Sequence, residues 1–133
     1  MGRRSRYNET VLDHFENPRN VGVIEDADAD VTVSNPVCGD TIRLTLRIRG
    51  GVIEAARFKA LGCGAAIASA SRLTEMLAGC GLPEAAAMEG EAVAAALGGL
   101  PPEKLGCSVL AEEAAAAAVE SYRKIASSGP RGQ

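Results

Sequence analysis

Four cysteines and a single histidine are the side chains of this 133-residue sequence best suited to metal, sulfur or acid–base chemistry. All four cysteines stand beside glycines, and three of them lie in loops leading into expected elements: Cys38 in Pro36-Val37-Cys38-Gly39-Asp40, Cys63 in Leu61-Gly62-Cys63-Gly64, and Cys107 in Leu105-Gly106-Cys107-Ser108. Cys63 and Cys107 also fall at expected helix starts. There the positive end of the helix dipole favours thiolate, the form that binds metal and attacks sulfur. Gly39, Gly62, Gly64 and Gly106 leave room for a bulky group near the sulfurs. Three thiols with Asp40 make a set of three sulfurs and one oxygen, which suits zinc or an iron–sulfur cluster and not magnesium or calcium. There is no CxxC pair, so spacing alone leaves a second reading open, in which the cysteines are small buried hydrophobes. Cys80 sits between Gly79 and Gly81 after an expected helix end, where the dipole raises a thiol's pKa, and reads as a bystander. His14, alone on a short helix, reads as structural or exposed and not as a ligand. No Ser-His-Asp triad, P-loop or dinucleotide fingerprint is present.

The elements that must position these groups are readable from periodicity. Thr41 to Arg49 alternates polar and apolar, with Ile42, Leu44, Leu46 and Ile48 on one face and Arg43, Arg47 and the threonines on the other. Gly50-Gly51 is a hairpin turn, Val52 to Ala60 the returning strand, and Val31 to Ser34 a third strand stopped by Pro36. One buried and one wet face predict an antiparallel sheet under a helical layer, an α+β fold. A first helix spans Tyr7 to Glu16, capped by Asn8, with Val11, Leu12 and Phe15 on one side. Val21 to Asp30 reads as an exposed loop whose Glu25, Asp26, Asp28 and Asp30 form a solvated turn, without the glycine and closing glutamate of a calcium loop. Helices follow over Ala65 to Ala78, a short one opened by Pro83, and Glu91 to Leu97. Pro101-Pro102 is a stiff break. Ser108 is expected to cap a last, alanine-rich helix running to about Ala126, whose small residues suit close packing.

Length predicts one domain over 7–126, with a flexible basic start at 1–6 and a loose tail at 127–133. A net charge of -3 argues against nucleic acid as the main partner. No apolar run approaches the roughly 18 residues of a membrane span, and no signal peptide is evident. With thiols in place of a disulfide framework, the expectation is a cytoplasmic protein.

Four segments resemble one family. Asp13-His14-Phe15-Glu16-Asn17-Pro18-Arg19-Asn20-Val21-Gly22 resembles the opening motif of IscU/NifU-type iron–sulfur cluster scaffold proteins. Pro36 to Asp40, Ala56 to Ser71 and Leu100 to Glu112 resemble their three cysteine loops in order, so the likeness runs from about Tyr7 to Lys124. It implies a three-stranded antiparallel sheet covered by helices. It also implies an assembly scaffold and not an enzyme with turnover. Such a scaffold takes sulfur from a cysteine desulfurase, builds a [2Fe-2S] cluster with iron, and passes it to apo-proteins. By motif matching, Cys38, Cys63 and Cys107 would be the cluster thiolates, Asp40 a labile carboxylate ligand, and Cys107 a persulfide acceptor. Leu100, Pro101, Pro102, Glu103 and Lys104 resemble the family's Hsp70-type chaperone recognition stretch, and the two prolines predict an extended segment there. One position departs. Scaffolds of the IscU type carry a histidine before the third cysteine, where this chain has Gly106. The SufU branch, which binds zinc, has a lysine there. The alternatives are therefore a zinc-dependent sulfur acceptor of SufU type and a structural zinc module.

Overall fold

The computed structural model describes residues 7–36 and 39–127. The basic start 1–6, the pair Val37 and Cys38, and the tail 128–133 lie outside the described residues.

Strand β2 (Asp40–Arg49) is the centre of an antiparallel three-stranded sheet, flanked by β1 (Ala29–Asn35) and β3 (Val52–Leu61) in the order β1-β2-β3. The alternation delivers the inner face as expected: Ile42, Leu44 and Leu46 are fully buried and Ile48 nearly so. Gly50 and Gly51 take φ of +62° and +76°, so both turn residues occupy the left-handed region that the hairpin demands. Asn35 pairs with Asp40, and Thr41 with Leu61. The start of β2, the end of β1 and the end of β3 therefore lie at one pole of the sheet.

Two long helices cover the inner face. Helix α2 (Gly64–Leu77) lies chiefly on β3, and α5 (Leu105–Ser127) on β1 and β2. Leu73 and Leu77 of α2 meet Phe58 and Leu110 in one core with Val119. Ala111, Ala114, Ala115 and Ala118 are all fully buried, so the alanine run is a close-approach surface between α5 and its neighbours. Two short helices, α3 (Leu82–Ala86) and α4 (Gly90–Ala96), close the layer. Gly90 lies against α5 so tightly that a Cβ there would come within 2.9 Å of the Ser108 carbonyl oxygen, and its N–H donates to Glu112 Oε1 at 2.7 Å.

Three expectations need correction. Helix α5 begins at Leu105, not after Ser108, because the chain enters it directly from a 3₁₀ turn at Pro102–Lys104. Ser108 is interior and buried, and its Oγ donates back to the Leu105 carbonyl at 2.9 Å instead of capping. The segment from Val21 to Asp30 is packed and not merely exposed. Gly22 N–H donates to the Phe58 carbonyl, and Ile24 N–H donates to Thr45 Oγ1 at 3.0 Å, burying that outward-facing threonine. The Arg47 guanidinium donates to the Asp26 and Glu25 carbonyls, while Arg43 grips Asp30 with two hydrogen bonds of 3.0 and 2.7 Å. The acidic run is thus tied to the sheet's arginines.

On helix α1 (Glu9–Glu16), Asn8 Oδ1 accepts from Val11 N–H at 2.8 Å, the expected cap. The inward face is Val11 and His14, whereas Phe15 is 44% exposed. His14 turns in because Ser71 Oγ meets its Nδ1 at 2.7 Å and Glu75 lies 3.5 Å from its Nε2. Phe15 instead lays its ring against the start of α2, where a Cβ on Gly64 would sit 3.2 Å from it.

Candidate functional site

The pole where β2 begins and β3 ends gathers the sulfur and carboxylate groups. Past Leu61 the chain turns sharply at Gly62, whose φ is +152°. A side chain there would run into the Asp40 carboxylate. Glycine is thus required twice, by the backbone and by its neighbour. Cys63 follows as the N-cap of α2, and its N–H donates to Asp40 Oδ1 at 3.3 Å. The first turn of α5 brings Cys107 Sγ to 3.6 Å from Cys63 Sγ and 3.6 Å from Asp40 Oδ2. One donor atom from each of Asp40, Cys63 and Cys107 lies within 4.8 Å of the others. Asp40 and Cys107 are buried and Cys63 is partly exposed, so the group opens to solvent on the Cys63 side.

Cys107 departs from the dipole argument. Its thiol pKa is pushed well up, first by burial, then by the hydrogen bond and charge of Cys63 and by the charge of Asp40. At 5% exposure, with two acidic groups beside it, the helix end does not prevail. A bound cation beside Cys107 would act in the opposite direction and favour the thiolate.

Lys104 enters this environment too. Its pKa is raised by the charge of Cys63 first, then by Tyr7 and Cys107. The sequence assigns Lys104 only to the partner-recognition stretch. Its spacing of three residues from Cys107, about one helical turn, is the signal that points it toward the sulfurs. Within the stretch Pro101 is extended (φ -56°, ψ 146°), whereas Pro102–Lys104 curls into the 3₁₀ turn. Leu100 is half-buried between the small clusters around Val11 and Cys107.

Among the described residues, a Cβ on Gly106 would meet only Asn35 Nδ2, at 3.9 Å, beside a groove of about 300 Å³ that Glu113 also lines. Cys80 lies beyond the far end of α2, a helix roughly 20 Å long, and its Sγ donates to the Met76 carbonyl at 3.0 Å. Burial raises its pKa, with Glu84 adding to the shift. His14 is engaged by Ser71 and Glu75 and belongs to no group of ligating side chains among the described residues. Cys38 lies outside the described residues. No helix of the described residues is long and apolar enough to cross a membrane.

Comparison with known proteins places this arrangement. Residues 6–128 match the model of the NifU-like N terminal domain. The chain is 49% identical over 116 residues to the iron-sulfur cluster assembly scaffold protein IscU 1 of Archaeoglobus fulgidus, covering 87% of this chain and 76% of that protein. It is 47% identical over 121 residues to the iron-sulfur cluster assembly scaffold protein IscU of Escherichia coli K12, covering 88% and 94%. Its fold is similar to that of a candidate scaffold protein for the SUF system from Fervidobacterium islandicum AW-1. That likeness has a TM-score of 0.75 and 21% identity, over 87% of this chain and 98% of that one.

Proposed function

Since this chain belongs to the NifU-like N-terminal domain family, we propose that it is an iron–sulfur cluster assembly scaffold that builds a [2Fe-2S] cluster on Cys38, Asp40, Cys63 and Cys107. Iron and desulfurase-derived sulfur are its substrates, and apo-proteins receive the product. The carrying observation is the convergence of two thiols and a carboxylate within 4.8 Å at one pole of the sheet. Two sulfurs and a hard oxygen suit iron or zinc and not magnesium or calcium. A cluster needs four ligand positions, and Cys38, two residues before Asp40, would supply the third sulfur. A carboxylate is the weakest ligand of the set, which suits a cargo that must leave. Cys63 is the accessible sulfur and Cys107 the buried one, so sulfur arriving from a donor meets Cys63 first and Cys107 receives it at 3.6 Å.

The 3.6 Å sulfur separation also supports a single-ion reading. Two thiolates on one tetrahedral metal, each about 2.3 Å from it, stand roughly 3.7 Å apart. The described donors are thus set for one iron or one zinc, and the zinc-dependent sulfur acceptor is the competing function. A cysteine desulfurase is the partner both readings require. An Hsp70-type chaperone gripping Leu100 to Lys104 belongs to the scaffold reading alone, and a cytoplasmic location, proposed from the free thiols, is compatible with both.

Anaerobic reconstitution with iron, cysteine and a cysteine desulfurase tests the proposal. The expected result is a [2Fe-2S] visible spectrum with matching acid-labile sulfide that is lost when apo-ferredoxin is added. No chromophore, with either persulfide on Cys107 or tightly held zinc, would overturn it in favour of sulfur transfer.

A further inference from the structure

We propose that Cys63 and Cys107 form a reversible disulfide when the pole carries no metal, so that this pair is an oxidative modification site as well as a ligand pair. The two sulfurs are in direct contact at 3.6 Å, and each is a free thiol. A disulfide requires them to close by roughly 1.5 Å, within the reach of a side-chain rotation at either residue. Cys63 sits at a helix cap between two glycines, where such a rotation meets least resistance. The backbones are already fixed by the sheet and by α2 and α5, so closing the bond orders little that is not ordered already.

The two cysteines differ in access, and that sets the sequence of events. Cys63 is partly exposed, whereas Cys107 is 5% exposed. A low-mass disulfide is the oxidant. The Cys63 sulfur attacks it, forming a mixed disulfide and releasing one thiol. Cys107 then attacks Cys63 Sγ, the Cys63–Cys107 bond forms, and the second small thiol leaves. The protein loses two protons and two electrons, and the oxidant is reduced to two thiols. The proton lost by Cys107 leaves with the second small thiol. Cys80 takes no part, since its sulfur is directed at the Met76 carbonyl beyond the other end of α2.

The closed pair withdraws two of the described metal donors at once. Metal binding and the disulfide are therefore mutually exclusive. Oxidation would shut the empty pole, protect both sulfurs from further irreversible oxidation, and be undone by reductant. The consequence for cluster assembly rests on the scaffold reading above, but the chemistry of the pair does not.

The test uses the full chain, reduced and stripped of metal, incubated with glutathione disulfide and mapped as non-reduced peptides by mass spectrometry. The expected product is a Cys63–Cys107 cross-link with Cys80 free. Zinc uptake should be lost and should return on reduction, and zinc added beforehand should block the cross-link. In Cys107→Ser, glutathione should remain on Cys63. Circular dichroism on each form establishes that the helices persist. Stable glutathione adducts in the wild type, a cross-link through Cys38 in place of this pair, or unchanged zinc uptake after oxidation would each overturn the proposal. Because these readouts need no cluster, a cross-link without reconstitution would refute the scaffold reading alone. Reconstitution without a cross-link would refute only this inference.

Discussion

Gly62 is constrained from two sides, by a φ of +152° and by the carboxylate of Asp40 in the space a Cβ would fill. Gly62→Ala should therefore destabilise the chain by about 1–3 kcal/mol, measured as a lower urea midpoint, and weaken zinc binding by displacing Asp40. Adding Asp40→Ala should recover the steric part and leave the backbone part. Wild-type stability and zinc affinity in the single variant would contradict the cradle. Gly106 is the opposite case. Among the described residues its Cβ direction meets only Asn35, so Gly106→His should fold with unchanged thermal stability and retain a reconstituted cluster longer. A cluster lifetime equal to wild type would show that this position contributes nothing to retention. At the sulfurs, Cys63→Ala and Cys107→Ala should each abolish a stable chromophore, and Cys80→Ala should leave it intact. Asp40→Ala should lengthen the cluster's life if the carboxylate is the ligand that lets go.

Helix ends decide more here than helix interiors. Asn8 is a true cap and Ser108 is not, although both residue types suit the role. Asn8→Ala should cost about 1 kcal/mol. Ser108→Ala should cost distinctly less, because its hydroxyl only returns to a carbonyl of its own helix. Equal losses in thermal unfolding would restore Ser108 as a cap. The sequence makes β2 and its hairpin plain, because Ile42, Leu44, Leu46 and Ile48 alternate without a break and Gly50-Gly51 can do little but turn. It does not reveal where α5 starts, since Pro102 opens a 3₁₀ turn and does not stop a helix. Nor does it reveal that His14 is turned inward, which depends on Ser71 lying 57 residues away. Burial lowers the pKa of His14, with Arg19 and Arg72 acting in the same direction against Glu75 and Asp13. The folded pKa then lies below the ordinary 6.5, so the unfolded chain takes up the proton first. Stability should fall as pH drops below about 6.5. In His14→Leu the urea midpoint should be flatter with pH in that window. An identical slope would mean that another group sets it.

At the scale of the whole molecule, the site joins elements that the sequence keeps far apart. Asp40 opens a central strand, Cys63 caps the helix after the hairpin, and Cys107 lies in the first turn of the last helix. The order of the cysteine loops and their glycines was legible without coordinates. That burial pushes the Cys107 thiol pKa up, and that Lys104 feels the charge of Cys63, was not, because both depend on how α5 seats against the sheet and on Tyr7 near the other end of the chain. A metal held by all three side chains must therefore tie the sheet to both long helices. Zinc at about a hundred times its dissociation constant should stabilise the fold by about 2.7 kcal/mol, provided the unfolded chain does not bind it. The gain should not be uniform. Amide exchange should slow most at Asp40 and Thr41, at Ala65 to Ile67, and at Leu105 to Val109. Leu82 to Ala86, beyond the far end of α2, should change little. Chelator should reverse the pattern, and Cys63→Ser should not show it. Even protection across the chain would mean that zinc only shifts global unfolding. Slowing confined to Leu82 to Ala86 and the Cys80 turn would place the metal elsewhere.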